Sequence, residues 1–146
     1  MATFSRTVTV DWSGPIMEGK GEAKAGSGAF TLPVTFPSRI GEPAGRTSPE
    51  ELIAAAHASC YAMALNATVG RKGGAIGKTH ITATVTADKG ESGIKLTTSK
   101  LTVVAEGLTG IEKSQFAEVA REAEKGCPIS NALRGNVQIE VDATVR

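Results

Sequence analysis

Residues 48–70 read SPEELIAAAHASCYAMALNATVG, and this stretch decides the fold. It opens with the clearest helix start in the chain. Ser48 suits the N-cap and Pro49 the first helical position, where a missing N–H costs nothing; Glu51 stands three residues on as the capping-box partner. From Leu52 to Gly70 there is no Asp, Glu, Lys or Arg. The spacing predicts a helix running to about Val69, ended by Gly70 and followed by Arg71 and Lys72, which suit a helix C-terminus. A helix apolar nearly all round must be covered on nearly all sides. One chain of 146 residues with much sheet is expected to cover one face but not both. Ala54, Ala55, Ala56, Ala58, Ala62 and Ala64 permit close approach by another backbone, so a homodimer, the commonest soluble symmetry, is expected. A membrane span is the alternative. The run is dominated by Ala and holds His57, Ser59, Asn66 and Thr68, whereas a bilayer helix wants about 20 strongly apolar residues, so no membrane is expected.

Upstream of this helix, Thr7–Trp12 alternates apolar and polar residues, the period of a half-buried strand. Strands are predicted through Lys20–Ala25 and Phe30–Phe36, with Pro33 and Pro37 limiting the last to an edge or an early stop. A Gly- and Pro-rich loop covers Pro37–Thr47. Downstream, Ile81–Ala87 and Leu96–Glu106 read as two long strands joined by a hairpin around Gly90-Glu91-Ser92-Gly93. Thr109 has capping-box spacing to Glu112. The next helix carries Phe116, Val119, Ala120 and Ala123 on one face and Glu118, Arg121, Glu122 and Glu124 on the other, and Gly126 stops it. Cys127-Pro128-Ile129-Ser130 begins a short helical turn, Gly135 ends it, and Val137–Val145 alternates as a final strand. The order βββ-α-ββ-α-α-β reads as α+β, in a single domain over 1–146.

Composition excludes several function classes. Sixteen basic and fifteen acidic residues give a net charge of +1, and aromatics are only 4%, so neither a basic surface nor a base-stacking platform points to nucleic acid. Two cysteines are too few for a disulfide framework. Met1–Arg6 shows no basic leader before an apolar run, so a reducing cytoplasm is expected, with both thiols free to do chemistry.

The chemistry-bearing residues each have a plain alternative. Gly77-Lys78-Thr79 hints at a phosphate-binding loop, but the required earlier glycine is Lys72 and the segment leaves a helix for a strand, so the match fails. His57, Cys60, His80 and Cys127 are four soft ligands without zinc spacing; no metal is expected, and His57 reads as a packed helix residue. Cys60 taken alone reads as an inert small hydrophobe. Cys127 changes that, because between Gly126 and Pro128 its thiol can occupy the N-cap of the adjoining turn, where free N–H groups favour a thiolate. Two thiols in a reducing compartment, one buried and one at a helix start, suggest a reversible pair. A buried Cys60 needs a nearby positive charge to ionise. Arg39, in the loop before the helix, can fold over it or remain a solvated loop residue. Glu50 can serve a site or merely favour the helix dipole.

These residues resemble the OsmC/Ohr family (osmotically inducible protein C and organic hydroperoxide resistance protein) over essentially the whole chain. The resemblance is most specific at Arg39, at Ser48-Pro49-Glu50-Glu51-Leu52 through Ala56-His57-Ala58-Ser59-Cys60, and at Gly126-Cys127-Pro128-Ile129-Ser130. Phe36-Pro37-Ser38-Arg39 and Pro49–Leu52 look like the OsmC branch, to which the chain is closest; Cys127–Asn136 looks more like the Ohr branch. The resemblance implies antiparallel sheets wrapped around two central helices in an intertwined homodimer. It further implies a peroxidatic Cys60, a resolving Cys127, and Arg39 and Glu50 organising a site at the dimer interface. Ten residues separate Glu50 from Cys60, about 15 Å along a helix. Either the Arg39 loop bridges that distance or a second subunit's antiparallel helix brings in its own Glu50; the second is expected.

The expected function is therefore a thiol peroxidase reducing organic hydroperoxides, and hydrogen peroxide less readily, in oxidative or osmotic stress defence. It carries no bound cofactor and is restored by an external dithiol of lipoyl or other small type. A non-catalytic relative that binds a hydrophobic small molecule or senses redox state is the alternative, and a plain structural domain the third.

Overall fold

The structure is a computed structural model and describes residues 2–146. The chain divides into two compact units, one ending at Leu52 and one running from Ile53 to Arg146. The boundary falls inside the long helix.

The first unit is an antiparallel meander of β1 (Val8–Ser13), β2 (Lys20–Ala25) and β3 (Thr31–Val34), in that order. Only β2 is alternately buried, through Gly21, Ala23 and Ala25. The half-burial expected of β1 is not found: all six of its residues are exposed, including Val8 at 51%, Val10 at 56% and Trp12 at 41%. Its apolar alternation marks a face that the chain alone leaves uncovered. β3 is an edge strand and stops at Val34, as Pro33 and Pro37 require. The segment expected to be loop from Pro37 onward begins as helix instead. Thr35 is extended and its side chain accepts from the Ser38 N–H, Pro37 occupies the first turn, and a short helix α1 (Phe36–Ile40) forms.

Helix α2 spans Pro49–Arg71. Ser48 Oγ accepts from the Glu51 N–H at 3.1 Å, the cap expected. The reciprocal half of the capping box is absent, because the Glu51 carboxylate accepts instead from the Thr47 hydroxyl at 2.8 Å. The helix also outlasts Gly70. Its stop is Gly73, at φ +84°, with Gly74 N–H on Val69 O and Gly73 N–H on Gly70 O, a Schellman close that needs the left-handed backbone glycine adopts freely.

In the second unit, β4 (Lys78–Gly90) and β5 (Gly93–Glu106) form the expected hairpin across Glu91-Ser92, and β6 (Gln138–Val145) joins β5 in parallel. Ser99, Leu101, Val103 and Ala105 of the central strand face one way and are fully buried. The register sets Ile81 and Ala83 of β4, and Val141 and Ala143 of β6, beside them. Helix α3 (Phe116–Lys125) supplies Phe116, Val119, Ala120 and Ala123, the apolar face its spacing predicts, and ends at Gly126. It is preceded by a 3-10 turn, Lys113–Gln115, in which Gln115 Oε1 accepts from the Glu112 N–H at 3.4 Å. Thr109 does not cap; it bridges Ala75. Glu124 also departs from expectation: it is buried, its carboxylate held by Arg134 at 2.8 Å. Tyr61, Leu65 and Val69 of α2 complete this core. They lie on one side of a helix whose other side, with Met63 73% exposed, is left open. By length and composition α2 is apolar enough to cross a membrane. The i, i+4, i+8 spacing of Tyr61, Leu65 and Val69 accounts for the side turned to the core; most of the remaining apolar surface of the helix is not covered by this chain.

Candidate active site

The first unit contributes a charged pair. Arg39, in the last turn of α1, donates from Nε to both Glu50 carboxylate oxygens at 3.0 and 3.1 Å, and from a terminal nitrogen to Oε1 at 2.7 Å. Such a fork fixes the plane of the guanidinium as well as its position. Both side chains are largely covered, 27% and 15% exposed. Burial pushes the Glu50 carboxyl up, but the Arg39 hydrogen bonds, the Glu50 backbone N–H and the guanidinium charge together outweigh it and hold it below its usual value. Arg39 is thus no solvated loop residue, and in this chain it closes on its own Glu50. Beside them lies a pocket of about 260 Å³ whose walls are mainly apolar, with Val10, Trp12, Ile16, Phe36 and Leu52 around the Arg39 side chain.

The second unit contributes the sulfurs. Cys60 is half-buried on α2 and Cys127 fully buried; both are free thiols. Cys127 caps α4 (Pro128–Leu133), as its flanking Gly126 and Pro128 predict, with its sulfur accepting from the Ser130 N–H at 3.5 Å. The turn serves both thiols. Pro128 has no N–H, so the first free amides are those of Ile129 and Ser130. Ser130 N–H points at Cys127 Sγ, and the Ile129 amide is near enough to Cys60 to pull its pKa down. The Cys127 side chain lies close enough to Cys60 to raise its pKa.

The electrostatic consequence for Cys60 is upward. Burial raises its pKa above 9.0, the Ile129 amide pulls back, and the hydrogen bond and charge of Cys127 push up again. No cation of the second unit is among the groups that shift it.

His57 holds more than its sequence spacing suggests. It is fully buried, with Nδ1 at 2.6 Å from Ser99 Oγ on β5 and Nε2 at 2.7 Å from Ser130 Oγ on α4. Burial lowers its pKa, against a smaller upward pull from Glu124, so the ring is neutral. Both nitrogens are occupied by hydroxyls, and among the described residues no three His, Cys, Asp or Glu side chains gather to hold a metal. Ser99, forty-two residues from His57, carried no signal in the sequence; Ser130 did, through its place in the Cys127-Pro128-Ile129-Ser130 turn. Tyr61 was likewise unmarked. It is fully buried and donates its hydroxyl to Ala120 O at 2.7 Å, tying α3 to α2.

Comparison with known proteins finds relatives over most of the chain. The chain is 36% identical over 140 residues to Peroxiredoxin OsmC of Escherichia coli, spanning 94% of this chain and 96% of that protein. It is 27% identical over 124 residues to the Organic hydroperoxide resistance protein of Xanthomonas axonopodis pv. citri, covering 82% and 83%. Its fold superposes on the Organic Hydroperoxide Resistance Protein OhrB of Bacillus subtilis with a TM-score of 0.76 at 27% identity, over 98% of this chain and all of that one. Relatives of both branches thus occur, as the mixed motifs imply. A family model described as OsmC-like protein matches residues 41–142, and the chain belongs to that family.

Proposed function

We propose that this protein is a cysteine-based peroxidase that reduces organic hydroperoxides to alcohols. The observation that carries this most is the turn of α4, where the Ser130 amide is held by the Cys127 sulfur and Cys127 lies near enough to Cys60 to shift its ionisation. The names of the relatives, a peroxiredoxin and organic hydroperoxide resistance proteins, support a peroxide-related redox role.

The Cys60 thiolate attacks one peroxide oxygen; the O–O bond breaks, alkoxide leaves as alcohol on taking a proton, and Cys60 becomes a sulfenic acid. Cys127 then attacks that sulfur. The S–S bond forms and hydroxide departs as water with the Cys127 proton. An external dithiol, lipoyl-type or another small one, reduces the disulfide by exchange, so the cycle uses no bound cofactor. The compartment is the reducing cytoplasm.

Arg39 acts on the thiolate and on charge developing at the departing oxygen, and Glu50 keeps the guanidinium fork in plane. In a homodimer the pair serves the second subunit's Cys60. That assembly also accounts for the exposed side of α2 and the uncovered face of β1. The pocket around Arg39, apolar on most sides, favours an alkyl over a hydrogen peroxide substrate.

The test is a thiol count. Reduced protein treated with one equivalent of cumene hydroperoxide should lose both thiols, and Cys60→Ser should lose neither. Cys127→Ser should turn over once and then oxidise Cys60 irreversibly. Unchanged thiols in the wild type would instead favour a non-catalytic small-molecule-binding or redox-sensing role.

A further inference from the structure

His57 lies one helical turn before Cys60 on α2, and three-residue spacing puts both side chains on one face. Its ring spans two elements distant in the chain: Ser99 on β5 and Ser130 on α4. Ser130 is the residue whose backbone N–H is capped by the Cys127 sulfur, so one residue carries both the N–H held by that sulfur and the hydroxyl bound by the histidine. The other end of α4 is fastened separately. Arg134 bonds Glu124 at 2.8 Å and Asn131 at 3.1 Å, and Asn131 Nδ2 donates to Lys125 O at 3.1 Å. The six-residue helix is thus pinned at its C-terminal end to α3 and at its N-terminal turn to α2, and His57 supplies the side-chain link at that turn.

We infer that His57 is a positioning residue for the resolving step: through Ser130 it holds the α4 turn so that Cys127 meets Cys60 before a second peroxide does. The inference rests on the peroxidase cycle proposed above. Chemistry makes the position matter at one point. A Cys60 sulfenic acid has two fates. Attack by Cys127 forms the disulfide with loss of water, whereas attack on a second hydroperoxide transfers another oxygen, releases a second alcohol and leaves a sulfinic acid that no dithiol reduces. The first fate needs Cys127 aligned within bonding reach of the Cys60 sulfur, and disulfide geometry is narrow. A turn free to rock by a fraction of an ångström samples that alignment less often. Ser99 on the other nitrogen fixes which way the ring points.

The partition between these fates is read by intact mass after one and after ten equivalents of cumene hydroperoxide. The disulfide is a loss of two hydrogens and the sulfinic acid a gain of two oxygens. In Ser130→Ala, which removes one oxygen and leaves the backbone cap, the sulfinic fraction per turnover should rise about tenfold, the factor associated with one lost hydrogen bond. The rate of the first Cys60 oxidation should stay at the wild-type value. His57→Ala should shift the partition the same way, and His57→Gln, whose amide reaches the position of Nε2, should recover most of it. Val69→Ala removes packing from the core end of α2 and touches neither His57 nor Ser130; it should lower the melting temperature and leave the partition alone. Wild-type partition in both Ser130→Ala and His57→Ala would overturn the inference, as would an equal rise in Val69→Ala, which would reduce the effect to general loosening. A wild-type protein that forms no disulfide at all would overturn the peroxidase reading itself, a separate result.

Discussion

Arg39 and Glu50 grip each other through three hydrogen bonds of 2.7–3.1 Å in a unit that contains no thiol, whereas Cys60 and Cys127 meet over the α4 turn in a unit whose own groups raise the Cys60 pKa. The charged pair is pre-organised. Its carboxylate is held ionised by the guanidinium, and the fork stands beside an apolar pocket with no reacting atom of its own. The sulfur pair is the reverse: two neighbouring thiols, one of them capping an amide, with no positive charge among the groups that shift Cys60.

The sharpest way to break this comparison is to remove the charge and leave the sulfurs. Arg39→Met should lower the second-order rate of Cys60 oxidation by alkyl hydroperoxide by about 10²- to 10³-fold, the usual effect of deleting one donor to a developing oxyanion. The disulfide, once Cys60 is oxidised, should still form. A rate within a factor of two of wild type would detach Arg39 from the chemistry. Next in size is Glu50→Gln, which keeps the guanidinium and weakens the fork. Steady-state peroxide reduction should fall about tenfold, in line with one hydrogen bond to a charged group.

The smallest effect is thermodynamic and separates the two regions by pH. The Glu50 carboxyl has a lowered pKa in the folded state, so its contribution to stability is complete above the unfolded value of 4.5 and is lost as pH falls below it. His57 also has a lowered pKa, so the unfolded chain takes up a proton below 6.5 that the buried ring refuses, and stability falls from there downward. Chemical denaturation at a series of pH values should therefore show a decline starting near 6.5 that disappears in His57→Gln. A second decline, below 4.5, should disappear in Glu50→Gln. A single decline untouched by either substitution would contradict the assignment.

Much of this was legible in the sequence because local chemistry dictated it. Ser48 before Pro49, Cys127 between Gly126 and Pro128, the two-residue hairpin and the apolar face of α3 each obey capping, turn or periodicity rules, and each is found. Partners remote in the chain were not legible. Nothing at Glu124 distinguishes it from its exposed neighbours until Arg134 comes round to meet it, and Ser99 is one hydroxyl in a Thr- and Ser-rich strand until His57 selects it. Helix α1 was hidden for a different reason: Pro37, read as a breaker, is favourable in a first turn once Thr35 caps it. For the site, spacing and resemblance marked Arg39, Glu50, Cys60 and Cys127, but only coordinates show that Arg39 grips the Glu50 of its own chain.

The most direct measurement is a thiolate titration of Cys60, followed by ultraviolet absorbance in Cys127→Ser so that one sulfur is seen, with and without Arg39→Met. If the charged pair serves the sulfur pair, the midpoint lies well below 9.0 with Arg39 present and moves above 9.0 when it is replaced. A midpoint above 9.0 in both proteins would contradict the account, since the guanidinium would then not be what makes this thiol a nucleophile.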